Sequence, residues 1–192
     1  MNRLIPVLCS ALAFLGGQTS FAEIQTYDLD LTGWQSDQGY SGPDSGTSNS
    51  FTTINIGAGS TITAVEYIDL NFESIDPSWQ SEFVLSLNSF EDPGLYWDFN
   101  PAVGTDNPGA FSGSGSFTNP GLYGGSFSVG SDGILYIETY EDFNDDSVSP
   151  DAVVSSGILR ITFDTTAVPE PTSAVVLGFA MVGVVGLRRR RA

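Results

Sequence analysis

The sequence predicts an all-β fold: an antiparallel β-sandwich, jelly-roll-like, between an N-terminal signal peptide and a single C-terminal transmembrane helix. Three observations carry that expectation. From Glu23 to Ala167 apolar residues alternate in short runs, separated by clusters of Gly, Ser, Asn, Asp and Pro, the period-two pattern of half-buried strands. No run in this region has the spacing or capping of an amphipathic helix. The two ends of the chain differ from the middle, each carrying an apolar stretch beside the chain's few arginines.

The first element is Met1 to Ala22. Arg3 opens it, an apolar stretch runs from Leu4 to Leu15, and Ser20-Phe21-Ala22 places small residues three and one positions before Glu23. Signal peptidase reads that pattern, so cleavage is expected between Ala22 and Glu23. Pro6, Gly16 and Gly17 make the stretch a poor buried helix. Cys9 follows Pro-Val-Leu, without the small residue a lipoprotein box places just ahead of its cysteine, so lipidation is disfavoured.

The middle element, residues 23–167, holds eight or nine strand candidates. YDLDL puts Tyr27, Leu29 and Leu31 on one face with Asp28 and Asp30 on the other. ITAVEYIDLNF alternates so that Ile62, Ala64, Ile68, Leu70 and Phe72 share a side, broken only by Glu66. EFVLSL contributes Phe83, Leu85 and Leu87, and GILRITF contributes Leu159, Ile161 and Phe163 with Arg160 outward. FTTINI, LYWDF, AFSGSGSF, LYGGSFSV and GILYIETY complete the set. Many short strands favour two sheets, each burying one face against the other. About 145 residues suffice for a core without staples. Trp34, Trp79 and Trp97 are expected in that core, with a sugar-stacking platform as the alternative role for one of them. Ser36 to Ser50 and Pro101 to Gly109 read as long polar loops, either plain connections or a binding rim.

Charge narrows the chemistry. The net charge is −17, yet Arg160 is the only basic residue from Glu23 to Ala167, against 22 carboxylates. Such a surface repels polyphosphate, so no nucleic acid is expected as a partner. The chain has no histidine and no lysine, and its one cysteine lies in the segment expected to be removed. Ser-His and Cys-His pairs, Schiff-base lysines, imidazole or thiolate zinc ligands and disulfides are thereby excluded from the mature region. Carboxylate-pair catalysis and hard-cation binding remain.

Two acidic stretches bear on those possibilities. In YEDFNDDSVSPDA, Asp142, Asn144 and Asp146 stand at spacing one, three, five, as at the start of a calcium loop. Ser147 replaces the expected glycine and Val153 the bidentate glutamate, so the stretch is not an EF-hand. Glu141, Asp142, Asp145, Asp146 and Asp151 still crowd five carboxylates into 11 residues, so calcium binding through Asp142, Asn144 and Asp146 and a solvated acidic turn both stay open. In EYIDLNFE, Glu66, Asp69 and Glu73 are the best candidates for a catalytic pair. An extended strand would point Glu66 and Asp69 to opposite faces, so the reading is non-enzymatic, with a carbohydrate-active enzyme as the alternative.

The last element is VPEPTSAVVLGFAMVGVVGLRRRRA. Pro169 and Pro171 keep the chain extended. Ser173 to Leu187 is 15 uncharged, mainly apolar residues. As a helix they span roughly 22 Å against a hydrocarbon core of about 30 Å, a short span that Thr172 and snorkelling arginines extend. Arg188, Arg189, Arg190 and Arg191 hold the C-terminus in the cytoplasm by the positive-inside rule.

The order Val168-Pro169-Glu170-Pro171, then an apolar helix over 172–187, then four arginines resembles the PEP-CTERM sorting signal of Gram-negative bacteria. The resemblance covers Val168 to Arg191 and implies recognition and cleavage by an exosortase. It also implies association with exopolysaccharide and the cell surface or extracellular matrix. A plain single-pass anchor is the alternative. In the middle region, a late strand, the acidic loop and Gly157-Ile158-Leu159-Arg160-Ile161-Thr162-Phe163 resemble the end of the jelly-roll P domains attached to secreted proteases, whose early acidic motif is not clear here. The expectation is an exported protein, held transiently at the inner membrane and then at the cell surface or outside. Its partners would be signal peptidase, exosortase and exopolysaccharide, and calcium is its one candidate cofactor.

Overall fold

Alternating sequence becomes two antiparallel sheets in the computed structural model, which describes residues 23–43, 46–91, 96–118, 127–145 and 147–165. The expected signal peptide, the sorting tail from Val168 to Ala192 and Asp146 lie outside the described residues.

The larger sheet runs in the order β1 (Ile24–Asp30), β10 (Ala152–Asp164), β4 (Thr61–Ser74), β7 (Gly109–Thr118). Short β2 (Gln35–Ser36) pairs with β10, and β8 (Phe127–Ser128) pairs with β4. The smaller sheet runs β3 (Phe51–Asn55), β9 (Ile134–Glu141), β5 (Phe83–Ser89), β6 (Tyr96–Phe99). A single 3-10 turn, Gln80–Glu82, precedes β5, and the Glu82 carboxylate accepts the Trp79 N–H at 2.7 Å. The described residues are therefore all-β and antiparallel, as the alternation predicts.

The inward faces meet as the sequence requires. Phe83, Leu85 and Leu87 of β5 are fully buried, as are Leu159 and Ile161 of β10, with Phe163 nearly so. Phe72 from the larger sheet stacks on Phe83 of the smaller at 4.4 Å between centroids and on Phe111 of β7 at 5.0 Å. Phe99 and Phe117 bridge the sheets a second time at 5.1 Å. Of the tryptophans, Trp97 belongs to the core, Trp34 packs against it, and Trp79 is exposed.

β4 departs from simple alternation. Val65 and Tyr67 point into the core, while Ala64, Glu66 and Ile68 are only half-buried. The expected row of Ile62, Ala64, Ile68, Leu70 and Phe72 is thus broken twice. The register against β10 slips between Phe163↔Ile62 and Thr162↔Ala64, and the register against β7 slips between Tyr67 and Leu70. Each inserted residue turns the following side chains to the other face. At the second slip Asp69 takes φ +48°. Gly157 lies opposite with φ +147°, and a Cβ there would sit 2.8 Å from the Leu70 Cα, which is why GILRITF begins with glycine.

The chain enters and leaves the sandwich at one place. The Thr165 N–H donates to the Glu23 carbonyl at 3.0 Å, just beyond the Ile24↔Asp164 pair. β10 then separates that end from Asp151 by 13 residues, about 40 Å of strand.

Candidate functional site

Two polar constellations stand out against the apolar core, one at the end of the sandwich remote from Glu23 and Thr165, the other on the outer face of the smaller sheet.

The first forms where β9 ends and β10 begins. Glu141 pairs with Phe83 across the ladder and, like it, faces inward, at 1 % exposure. Opposite, on the larger sheet, Ser36, Ala152 and Ser74 make one row across β2, β10 and β4. The core therefore ends in a polar layer. The Ser36 hydroxyl donates to Glu141 Oε1, and the Ser36 carbonyl accepts the Asp151 N–H at 2.9 Å. The Asp151 carbonyl accepts the Ile75 N–H at 2.8 Å, its Oδ2 accepts the Asp145 N–H at 3.4 Å, and Ser78 donates to Asp145 Oδ2 at 2.9 Å.

Those bonds leave oxygen atoms over. Asp37 Oδ1, Ser74 Oγ, Glu141 Oε2 and Asp151 Oδ1 are buried and make no hydrogen bond. Burial pushes Glu141 up to about 8, and the charges of Asp151, Glu82 and Asp145 push the same way against the Ser36 hydrogen bond. Burial, with Asp145 and Asp37, pushes Asp151 up to about 6, and burial also raises Glu82. The only basic side chain in the sandwich region, Arg160, is engaged elsewhere, with Nε and Nη2 on the two Asp28 oxygens at 2.7 and 2.8 Å. Chemically this end can hold protons or a cation. Among the described residues no three acidic side chains are drawn together into a preformed metal cage.

Of the three calcium candidates, two lie within the described residues. Asp142 and Asn144 are exposed, Asp142 using its N–H on the Glu82 carbonyl at 2.9 Å, and Asp146 lies outside the described residues. The signal for the inner set was present in the sequence, because Glu141, Asp145 and Asp151 belong to the same acidic stretch. Asp37, which arrives from a distant loop, carried no local signal.

The second constellation uses the side of β9 that alternation sends outward. Tyr136, Glu138 and Tyr140 stand in one row, flanked by Ser86 and Asn88 of β5 and Tyr96 and Asp98 of β6. Polar residues from 37–43 and 46–50 fold over part of this face. Glu138, fully buried, accepts from Asn49 Nδ2 at 2.8 Å and the Ser41 N–H at 3.3 Å on one oxygen. Its other oxygen takes the Gly42 N–H at 3.1 Å and the Tyr136 hydroxyl at 3.0 Å. Tyr140 donates to Asp98 Oδ2 at 3.1 Å, whereas Asp98 Oδ1 and Asn88 Oδ1 are buried without a partner. Burial raises Asp98. Tyr40 meets Tyr140 edge-on at 5.7 Å, and burial with the nearby charges of Glu138 and Asp98 pushes its hydroxyl up to about 12. Tyr40, Tyr96 and Phe51 keep 41 %, 43 % and 50 % of their surface exposed. Sequence reasoning passed over this face, because ILYIETYE reads as an ordinary strand until its second face is known to be covered.

The candidate catalytic acids are not gathered into a site. Glu66 lies across from Arg160, Asp69 occupies the bulge with its N–H on Ser114 Oγ at 2.8 Å, and Glu73 is exposed.

No protein-family model and no curated protein matches the chain. Among solved structures, one titled Desmodium yellow mottle tymovirus aligns over 86 % of this chain and 95 % of that one, at 9 % identity and a TM-score of 0.26. A likeness that low carries no argument about fold or function.

Proposed function

We propose that this chain is an exported surface or matrix protein, sorted by an exosortase through Val168 to Arg191. Its jelly-roll-like β-sandwich is non-catalytic and binds exopolysaccharide. The observation that carries the sorting reading is the sequence of the tail: Val168-Pro169-Glu170-Pro171, a short apolar span, then Arg188 to Arg191. The proximity of Glu23 to Thr165 is compatible with it, since the end created by signal peptidase and the sorting tail would leave the sandwich together.

The outer face of the smaller sheet supports the binding reading. Half-exposed tyrosine rings offer stacking surfaces to the C–H faces of a sugar. Carboxylates at the face favour uncharged saccharides over anionic ones. Binding of the full-length protein to polysaccharide from its own host tests this. Tyr96→Ala is expected to weaken binding about tenfold, the loss of roughly one stacking contact, with the melting temperature unchanged. Equal binding by wild type and variant, or no retention of the wild type, rejects the face as the binding surface.

A further inference from the structure

We infer that the acidic end of the sandwich, formed by Asp37, Glu141, Asp145 and Asp151, is a binding site for a hard divalent cation of the calcium class. The inference is independent of the sorting and polysaccharide readings.

Charge alone would not support it, since a group of acids on a surface is ordinarily solvated. Here two of the four acids are shut away from solvent. Glu141 and Asp151 are 1 % and 0 % exposed, and each keeps one oxygen without a donor. Asp37 Oδ1 and Ser74 Oγ are left in the same condition beside them. Buried polar atoms in folded proteins are almost always paired, and a buried carboxylate is costly unless a counter-charge reaches it. The residues that carry the four unpartnered atoms are linked through the ladder, the chain and shared hydrogen bonds. Ser36 bonds Glu141 with its hydroxyl and Asp151 with its carbonyl, Asp37 follows Ser36 in the chain, and Ser74 shares a row with Ser36 through Ala152.

The donor set selects the ion. Every available ligand is an oxygen, and the chain has neither histidine nor, beyond Cys9, a thiol, so soft and borderline metals have nothing to prefer. The carboxylates are not closed into a rigid octahedron, as magnesium would demand. Calcium accepts six to eight oxygens in irregular geometry and takes hydroxyls, carbonyls and water with its carboxylates. Glu141 and Asp151 would be the principal ligands. Asp37 and Asp145, both half-buried, would close the outer side from the segments before β3 and after β9. The ion would thus cross-link the end of β9 in the smaller sheet, the start of β10 in the larger sheet, and the segment that carries Asp37.

Calcium titration of the full-length protein after chelation tests the site, read by calorimetry and by thermal melting. The expected result is saturable binding of about one ion per chain, and a melting temperature raised by roughly 5–10 °C at a hundredfold excess over Kd. Asp151→Asn is expected to weaken binding at least tenfold, while Asp164→Asn, at the opposite end of β10, leaves it unchanged. If Asp151→Asn fails to fold, the wild-type titration still decides. No saturable heat and no melting shift in millimolar calcium would overturn the inference, as would equal stabilisation by sodium at matched ionic strength. Unaltered binding in a folded Asp151→Asn protein would overturn it too.

Discussion

Replacing Glu141 by glutamine gives the sharpest energetic test of the polar layer. In the folded chain burial holds this carboxyl up to about 8, against an ordinary value of 4.5. Between those values the folded state keeps a proton that the unfolded chain has released. Stability contributed by the neutral form is therefore fully present below about 4.5 and is lost as pH rises through 8. At 1.36 kcal/mol for each unit, a difference of that size corresponds to a loss on the order of 5 kcal/mol across the interval. That is comparable with the whole stability of a small domain, 5–15 kcal/mol. Glutamine keeps an acceptor for Ser36 and cannot ionise, so the variant should lack this component of the pH dependence.

The measurement is urea unfolding of the chelated full-length protein at pH 5 and pH 8.5, followed by the fluorescence of buried Trp97. Wild type should lose several kcal/mol between the two. Glu141→Gln should lose much less, retaining only the part owed to Asp151, whose carboxyl is raised to about 6. The variant should then be the more stable protein at pH 8.5, although it has lost a buried carboxyl. Parallel stability curves, differing by less than about 1 kcal/mol in their pH dependence, would refute the reasoning.

Other substitutions probe the framework. Phe72→Ala removes the ring that stacks on both Phe83 and Phe111 and should cost about 3–5 kcal/mol in chemical unfolding. Gly157→Ala must place a Cβ 2.8 Å from the Leu70 Cα at φ +147° and should cost about 2–3 kcal/mol, despite adding only a methyl group. The Arg160–Asp28 pair is exposed on both sides, 39 % and 47 %, so Asp28→Asn should change stability by less than about 1 kcal/mol, a difference that shrinks further in high salt.

Much of the fold was legible because burial on one face writes itself into alternation. Phe83, Leu85 and Leu87, and Leu159, Ile161 and Phe163, occupy the faces their spacing assigns. Alternation failed in β4, where two register slips shift the phase without leaving a local mark; only Gly157 across the ladder hints at the second. The polar sites were harder for a related reason. The stretch from Ser36 to Ser50 looks like an unstructured connection by composition, yet the Ser41 and Gly42 N–H groups and Asn49 satisfy Glu138, and Asp37 stands at the acidic end. Such pairings join residues about ninety positions apart, and spacing within a single strand carries no information about them. The acidic stretch from Glu141 to Asp151 was visible, but which of its carboxylates would be buried depended on where β9 stopped and β10 started.

Intact-mass measurement tests most directly how the whole chain is processed and sorted. Protein recovered from the envelope and from the medium of its native host should begin at Glu23 and lack Arg188 to Arg191. A mass retaining those four arginines in every fraction would contradict the account and leave a plain membrane anchor in its place.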